Sequence, residues 1–207
     1  MKKNMMLPEA GLLRYRKQIF LLAGGGFFLG ILAANTFGKK AIMELGIFGD
    51  YFFMQMQNVK IDSNAMFWYV FEKRMLFILA VMLFSVTSLG IAAAYMLSAW
   101  VGISAGLLLS AAAMQQGMQG IALCMAGLLP HYLFYIPAGV LLLVKACQLS
   151  GRLHGREQMY QNHIRKELTA FLLVSLGVFC IFFLGVLLES LLNPVFLQKI
   201  YKFFNNM

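Results

Sequence analysis

Residues 75–144 read MLFILAVMLFSVTSLGIAAAYMLSAWVGISAGLLLSAAAMQQGMQGIALCMAGLLPHYLFYIPAGVLLLV, 70 consecutive positions without Asp, Glu, Lys or Arg. A bilayer core takes about 20 apolar residues as helix, and at 1.5 Å per residue this stretch is about 105 Å long, enough for three crossings. Its internal punctuation divides it. Met75–Leu97 is a clean apolar run; Ser98-Ala99-Trp100-Val101-Gly102 reads as a short turn with an interfacial Trp. Val101–Met114 is rich in Gly, Ala and Ser, and Gln115–Gly120, the most polar patch, reads as a second turn. Ile121–Cys147 follows, interrupted by Pro130 and Pro137.

Outward from this block, Gln18–Gly38 and Leu168–Leu188 are also free of charge. The chain is 207 residues long, 61% hydrophobic and 12% charged, whereas a soluble domain is about 25% charged. A water-soluble globule and a disordered chain are both excluded. The expected fold is an all-α polytopic membrane helix bundle, a single domain over 1–207. Five transmembrane helices are expected, at about 19–37, 75–97, 101–118, 121–147 and 168–192. The first is too long for the apolar region of a signal peptide and reads as a retained anchor.

Orientation follows from Lys and Arg. The head, 1–18, carries Lys2, Lys3, Arg14, Arg16 and Lys17 against Glu9, and the loop from 145 to 167 carries Lys145, Arg152, Arg156, Arg165 and Lys166 against Glu157 and Glu167. Five crossings put these on one side, with a charge of +7 out of the chain's +9. The other side holds 38–74 and the tail and is +2, with Lys73-Arg74 beside the second span as its awkward pair. The N-terminus and loop 148–167 are expected to be cytoplasmic, and 38–74 and the C-terminus outside. A competing topology makes 101–129 a re-entrant pair of half-helices, leaving four crossings.

The outer segment 38–74 is too short for its own core. Its aromatic residues, including Tyr51, Phe52, Phe53, Phe67, Trp68, Tyr69 and Phe71, fit interfacial helices or a partner-docking surface. The tail opens on Asn193-Pro194 and repeats Phe196, Ile200, Phe203 and Phe204 at helical spacing, as a surface helix would.

Catalytic signatures are missing. The sequence has no GxxxxGK[ST], HExxH, CxxC or GxSxG. No catalytic, cofactor-binding or metal residues are expected, and the chain is read as no enzyme. His154 and His163 read as solvated loop histidines, and Cys124, Cys147 and Cys180 as small hydrophobes. Glu189, at the end of the last span, is expected to snorkel outward. Gly26-Phe-Phe-Leu-Gly30 and Gly102-Ile-Ser-Ala-Gly106 are GxxxG matches, the first extended by Gly24 and Gly25, and are expected to serve helix packing.

The distinctive constellation is Leu128-Leu129-Pro130-His131-Tyr132-Leu133-Phe134-Tyr135-Ile136-Pro137-Ala138. Two prolines seven apart free backbone carbonyls. His131 could satisfy one of them, or it could have a function of its own, since a histidine at membrane depth is costly. Leu-Pro-His, the aromatic at Phe134, Ile136-Pro137-Ala138 and the later Gly151 resemble the signature of the stage II sporulation protein M family. Where that family has Gly after the His and Glu before the Ile-Pro, this chain has Tyr132 and Tyr135. Of the motif's residues, Pro130, His131 and Pro137 carry over. The resemblance implies a non-enzymatic multi-pass protein of the bacterial cell membrane. It further implies a role in forespore engulfment, in the mother-cell septal membrane, localising the peptidoglycan-degrading stage II sporulation proteins D and P. The alternative class it implies is the membrane-spanning subunit of an ABC-type transport system, partnered by an ATPase subunit.

The charge split yields a test of topology. In a cysteine-free background, single cysteines at Gln158 and Asn205 are expected to react oppositely with an impermeant thiol reagent in intact cells. Equal labelling would refute five crossings.

Overall fold

The computed structural model describes residues 8–44, 63–154 and 161–191, all of them helical apart from two short breaks. Four helices are present: α1 (Pro8–Glu44), α2 (Ser63–Ser85), α3 (Gly90–Leu153) and α4 (Gln161–Leu191). Three of them contain stretches long and apolar enough to cross a membrane, at Leu13–Thr36, Gly90–Leu153 and Ile164–Leu191. The fourth, α2, carries Glu72, Lys73 and Arg74 near its middle.

The breaks in the long apolar block differ from the expected ones in one place of two. The expected turn at 98–102 is continuous helix. Ser98 satisfies its hydroxyl by donating to the Tyr95 carbonyl, 2.8 Å away within the same helix, and Gly102 is buried against α1. Small residues read there as turn formers are a packing face. The chain reverses earlier, at 86–89, so the expected span 75–97 is split between α2 and α3. The Thr87 hydroxyl donates to the Phe84 carbonyl at 2.8 Å, and the Ser150 hydroxyl donates to the Thr87 carbonyl at 2.8 Å. The cluster Ser85-Val86-Thr87-Ser88-Leu89-Gly90 thus terminates α2 and ties the turn to the far end of α3.

The second break is where the glutamines indicated. Gly117 has φ 59° and ψ −134°, a backbone region that L side chains rarely enter and glycine enters freely. It divides α3, about 96 Å if straight, into arms 90–116 and 118–153 of about 40 and 54 Å. The arms fold back on each other, with Gly120 packed against the Ala112 carbonyl at the tip and Gly90 against Ser150 at the base. The paired arms therefore extend well beyond 101–129.

Helix α1 runs parallel to the first arm. A Cβ at Gly26 would collide with the Ala99 carbonyl and one at Gly30 with the Ile103 carbonyl; Cβ atoms at Gly102 and Gly106 would collide with the Ala23 and Phe27 carbonyls. The two GxxxG faces meet each other, and backbones approach where side chains would hold them apart. Farther along, Ala34 and Ala111 continue the seam, and near its start the Tyr95 hydroxyl donates to Gln18.

The main core is built around the second arm of α3 and includes Ile19 of α1. Leu142, Val144, Cys147 and Leu149 of its second arm pack with Ile78 and Val81 of α2 and Val178, Phe182 and Val186 of α4. Among the described residues α1 contacts only α3, whereas α2, α3 and α4 contact one another. The described part of 148–167 is mostly helix: α3 continues to Leu153, α4 begins at Gln161, and an Arg152–Glu167 ion pair joins them. Tyr51 to Phe53 and the tail from Asn193 lie outside the described residues.

Replacing Gly102 by Leu is expected to force α1 and α3 apart and to cost roughly 1–3 kcal/mol, as overpacking does. Gly177→Ala, at a position inside α4 where a Cβ meets nothing within 4 Å, is expected to raise stability by about 0.4–1 kcal/mol. Thermal unfolding of the purified protein in detergent, followed by circular dichroism, distinguishes the two.

Candidate functional site

The polar residues that membrane burial makes most conspicuous converge at one point between α2, α3 and α4. Arg74 comes from α2, His131 and Tyr135 from successive turns of the second arm of α3, and Glu189 from the last turn of α4. The Glu189 carboxylate is the centre. The Tyr135 hydroxyl donates to its Oε2 at 2.9 Å. Arg74 Nη2 donates to both carboxylate oxygens, at 3.4 and 3.3 Å. The guanidinium carbon also lies 4.5 Å from the centroid of the Tyr135 ring, so one tyrosine serves the cation with its face and the anion with its hydroxyl.

Local sequence makes room for this. Gly185 lies one turn before Glu189 on α4, and a Cβ there would collide with the Tyr135 ring. Phe182 packs on the same ring at 5.0 Å between centroids. Glycine and phenylalanine thus hold the phenol where it reaches the carboxylate.

Of the residues singled out from the sequence, His131 is at this site and is 2% exposed. Its Nε2 lies 3.9 Å from Glu189 Oε1, beyond hydrogen-bond distance. Its Nδ1 has no hydrogen-bond partner. The ring therefore faces the carboxylate and not a carbonyl freed by proline. Pro130 and Pro137 both sit inside α3, which stays helical through them. Pro137 lies on the exposed side, toward α1. Gly26, Gly30, Gly102 and Gly106 lie far from this cluster, at the α1–α3 seam.

Glu189 departs from the sequence expectation: its side chain is 14% exposed and turned inward, not snorkelling. Arg74 likewise leaves the flank where the charge count had put it and forms the ion pair, with its side chain 31% exposed. The reason is common to both. In an apolar bundle a carboxylate and a guanidinium lose less solvation when each supplies the other's hydrogen bonds. Sequence reasoning missed Arg74, Tyr135 and Glu189 as a set. The available signal was that Glu189 is the sole acidic residue of its apolar run and that Arg74 immediately precedes residues 75–144.

Chemically the arrangement joins three helices through one anion. It holds an imidazole next to that anion, with a free ring nitrogen. No group of three His, Cys, Asp or Glu residues able to hold a metal occurs among the described residues.

The family model for stage II sporulation protein M matches residues 19–194. The matched span takes in the α1–α3 seam and all four residues of the cluster. No curated protein and no solved structure matches the chain.

Removing one partner of this partly buried ion pair leaves the other poorly matched and is expected to cost roughly 1–3 kcal/mol. Glu189→Leu should therefore destabilise, and Arg74→Met/Glu189→Leu should recover much of the loss. A double-mutant cycle on thermal unfolding in detergent measures the coupling; a double variant as unstable as the sum of the singles would show that the two groups do not interact.

Proposed function

The chain belongs to the stage II sporulation protein M family, and on that premise we propose that it is a non-enzymatic membrane scaffold that holds peptidoglycan-degrading partners at the cell membrane. By the family resemblance those partners are stage II sporulation proteins D and P, and the setting is forespore engulfment at the mother-cell septal membrane. In this reading α1, α2, the two arms of α3 and α4 are five crossings. The N-terminus is cytoplasmic and the C-terminus outside. Tyr15 of α1 lies against Gly151 of α3, so the basic head and the basic loop share one end of the bundle, which supports the charge-based orientation.

The observation that carries the scaffold reading is the division of the aromatic residues on α2. Phe67 and Phe71 turn inward and pack on Phe183 of α4, at 5.9 and 6.2 Å between centroids. Trp68 and Tyr69 turn away, 62% and 64% exposed. They lie about 25 Å along α2 from the turn at 86–89, toward the end opposite the basic head. Exposed Trp and Tyr on a rigid helix are the residue types that most often dominate protein interfaces. The Arg74–Glu189 pair supplies the rigidity. Because its hydrogen bonds tie α2 and α3 to α4, the pair suits a frame better than an ion carrier, whose charged groups must exchange partners.

Photo-crosslinkers placed at Trp68 and Tyr69 in the native membrane are expected to capture a peptidoglycan hydrolase. Capture of a nucleotide-binding subunit from Arg156, with nothing from α2, would overturn the scaffold in favour of the transport subunit.

A further inference from the structure

The side of α1 turned away from the first arm of α3 is not smooth. Between α1 and the second arm runs a groove of about 1100 Å³, lined along α1 by Arg16, Lys17, Phe20, Gly24, Gly25 and Phe28, and along α3 from Val144 to Pro137. Its floor is low for a specific reason. Gly24 and Gly25 carry no side chain, and a Cβ on either would meet nothing within 4 Å. These two glycines do not share the role of Gly26 and Gly30, which bring backbones together. They leave space that no described residue occupies.

The groove is polarised. Helix α1 is parallel to the first arm and so antiparallel to the second, which puts Arg16 and Lys17 at the Val144 end and Phe28 at the Pro137 end. Arg16 and Lys17 are both exposed, and neither forms an ion pair among the described residues. From Lys17 to Phe28 the groove is about 16 Å long at the helical rise. That is about half of a hydrocarbon core about 30 Å thick, or one leaflet. An apolar channel of one leaflet's depth, with two exposed cations at its mouth, has the shape and charge of a single anionic phospholipid: acyl chain along Phe20, Gly24, Gly25 and Phe28, phosphate at Arg16 and Lys17.

We propose that this groove is a binding site for an anionic phospholipid. The lipid fills the gap between α1 and the second arm of α3, and the basic pair selects its headgroup. This stands independently of the scaffold reading, since it uses no residue of the Arg74–Glu189 cluster and no protein partner.

Native mass spectrometry of the full-length protein, released from detergent with either phosphatidylglycerol or phosphatidylcholine of the same acyl chains, tests it. Each basic residue at a membrane surface contributes about a fivefold attraction for anionic lipid, so phosphatidylglycerol is expected to bind about thirtyfold more tightly. Arg16→Gln/Lys17→Gln should abolish the preference, weakening phosphatidylglycerol far more than phosphatidylcholine. Gly24→Leu/Gly25→Leu should weaken both lipids without lowering the melting temperature, because a Cβ at either position meets nothing within 4 Å and leucine is the better helix former. Equal retention of the two lipids by the unmodified protein, or a preference that survives the loss of both charges, would overturn the proposal. So would a dimer that retains no lipid and becomes monomeric in the glycine variant, which would assign the groove to a second copy of the chain.

Discussion

A carboxylate in an apolar bundle has to find its counter-charge and its hydrogen bonds from the same chain. Moving such an ion from water into a medium of low dielectric costs on the order of 20 kcal/mol before relaxation. In this protein Glu189 meets that requirement with Arg74 and Tyr135. The three residues come from three helices, so one electrostatic demand fixes how α2 and α4 sit on α3. The consequences reach outward. Tyr135 needs the absence of a side chain at Gly185, and α2, once held at Arg74, presents Phe67 and Phe71 to Phe183 and leaves Trp68 and Tyr69 on the outside.

Helix α3 is bound on its two sides by different physics. Toward α2 and α4 it offers bulky apolar residues and a polar cluster. Toward α1 it offers glycine and alanine, where attraction comes from close backbone approach and many small dispersion contacts. Lipid tails are as apolar as leucine, so neither side relies on expulsion of water. One exploits electrostatic necessity and the other exploits shape. The reversal at Gly117 allows one helix to supply both faces, since it doubles α3 back into two arms.

Much of this was legible in the sequence. The all-α class and the membrane character follow from the charge-free runs, and the break at Gly117 follows from glutamines and glycines in an otherwise apolar block. The turn at 86–89 was misplaced because Ser and Gly serve as turn formers and as packing residues alike. Composition could not show that Gly102 faces α1 while Thr87 and Ser88 form a chain reversal. His131 stood out because it is a histidine among apolar residues. Arg74 and Glu189 did not, because each is plausible alone as an interfacial charge and they are 115 residues apart. Tyr135 stands where the resembling family has Glu, and its hydroxyl reaches a carboxylate 54 residues farther along the chain. That relation exists only in three dimensions.

The parallel seating of α1 on the first arm of α3 has a consequence for biosynthesis. One helix, α2, lies between these parallel neighbours in the chain, and about 73 residues separate Gly26 from its contact at Ala99. At a synthesis rate of about 5–20 residues per second, the first helix waits roughly 4–15 seconds before its partner leaves the ribosome. During that interval its glycine face is bare in the bilayer, where any other small-residue helix is a competitor. The order in which this protein is made therefore sets a window in which the seam between α1 and α3 can be lost to a wrong neighbour, well before Glu189 arrives to fix the rest.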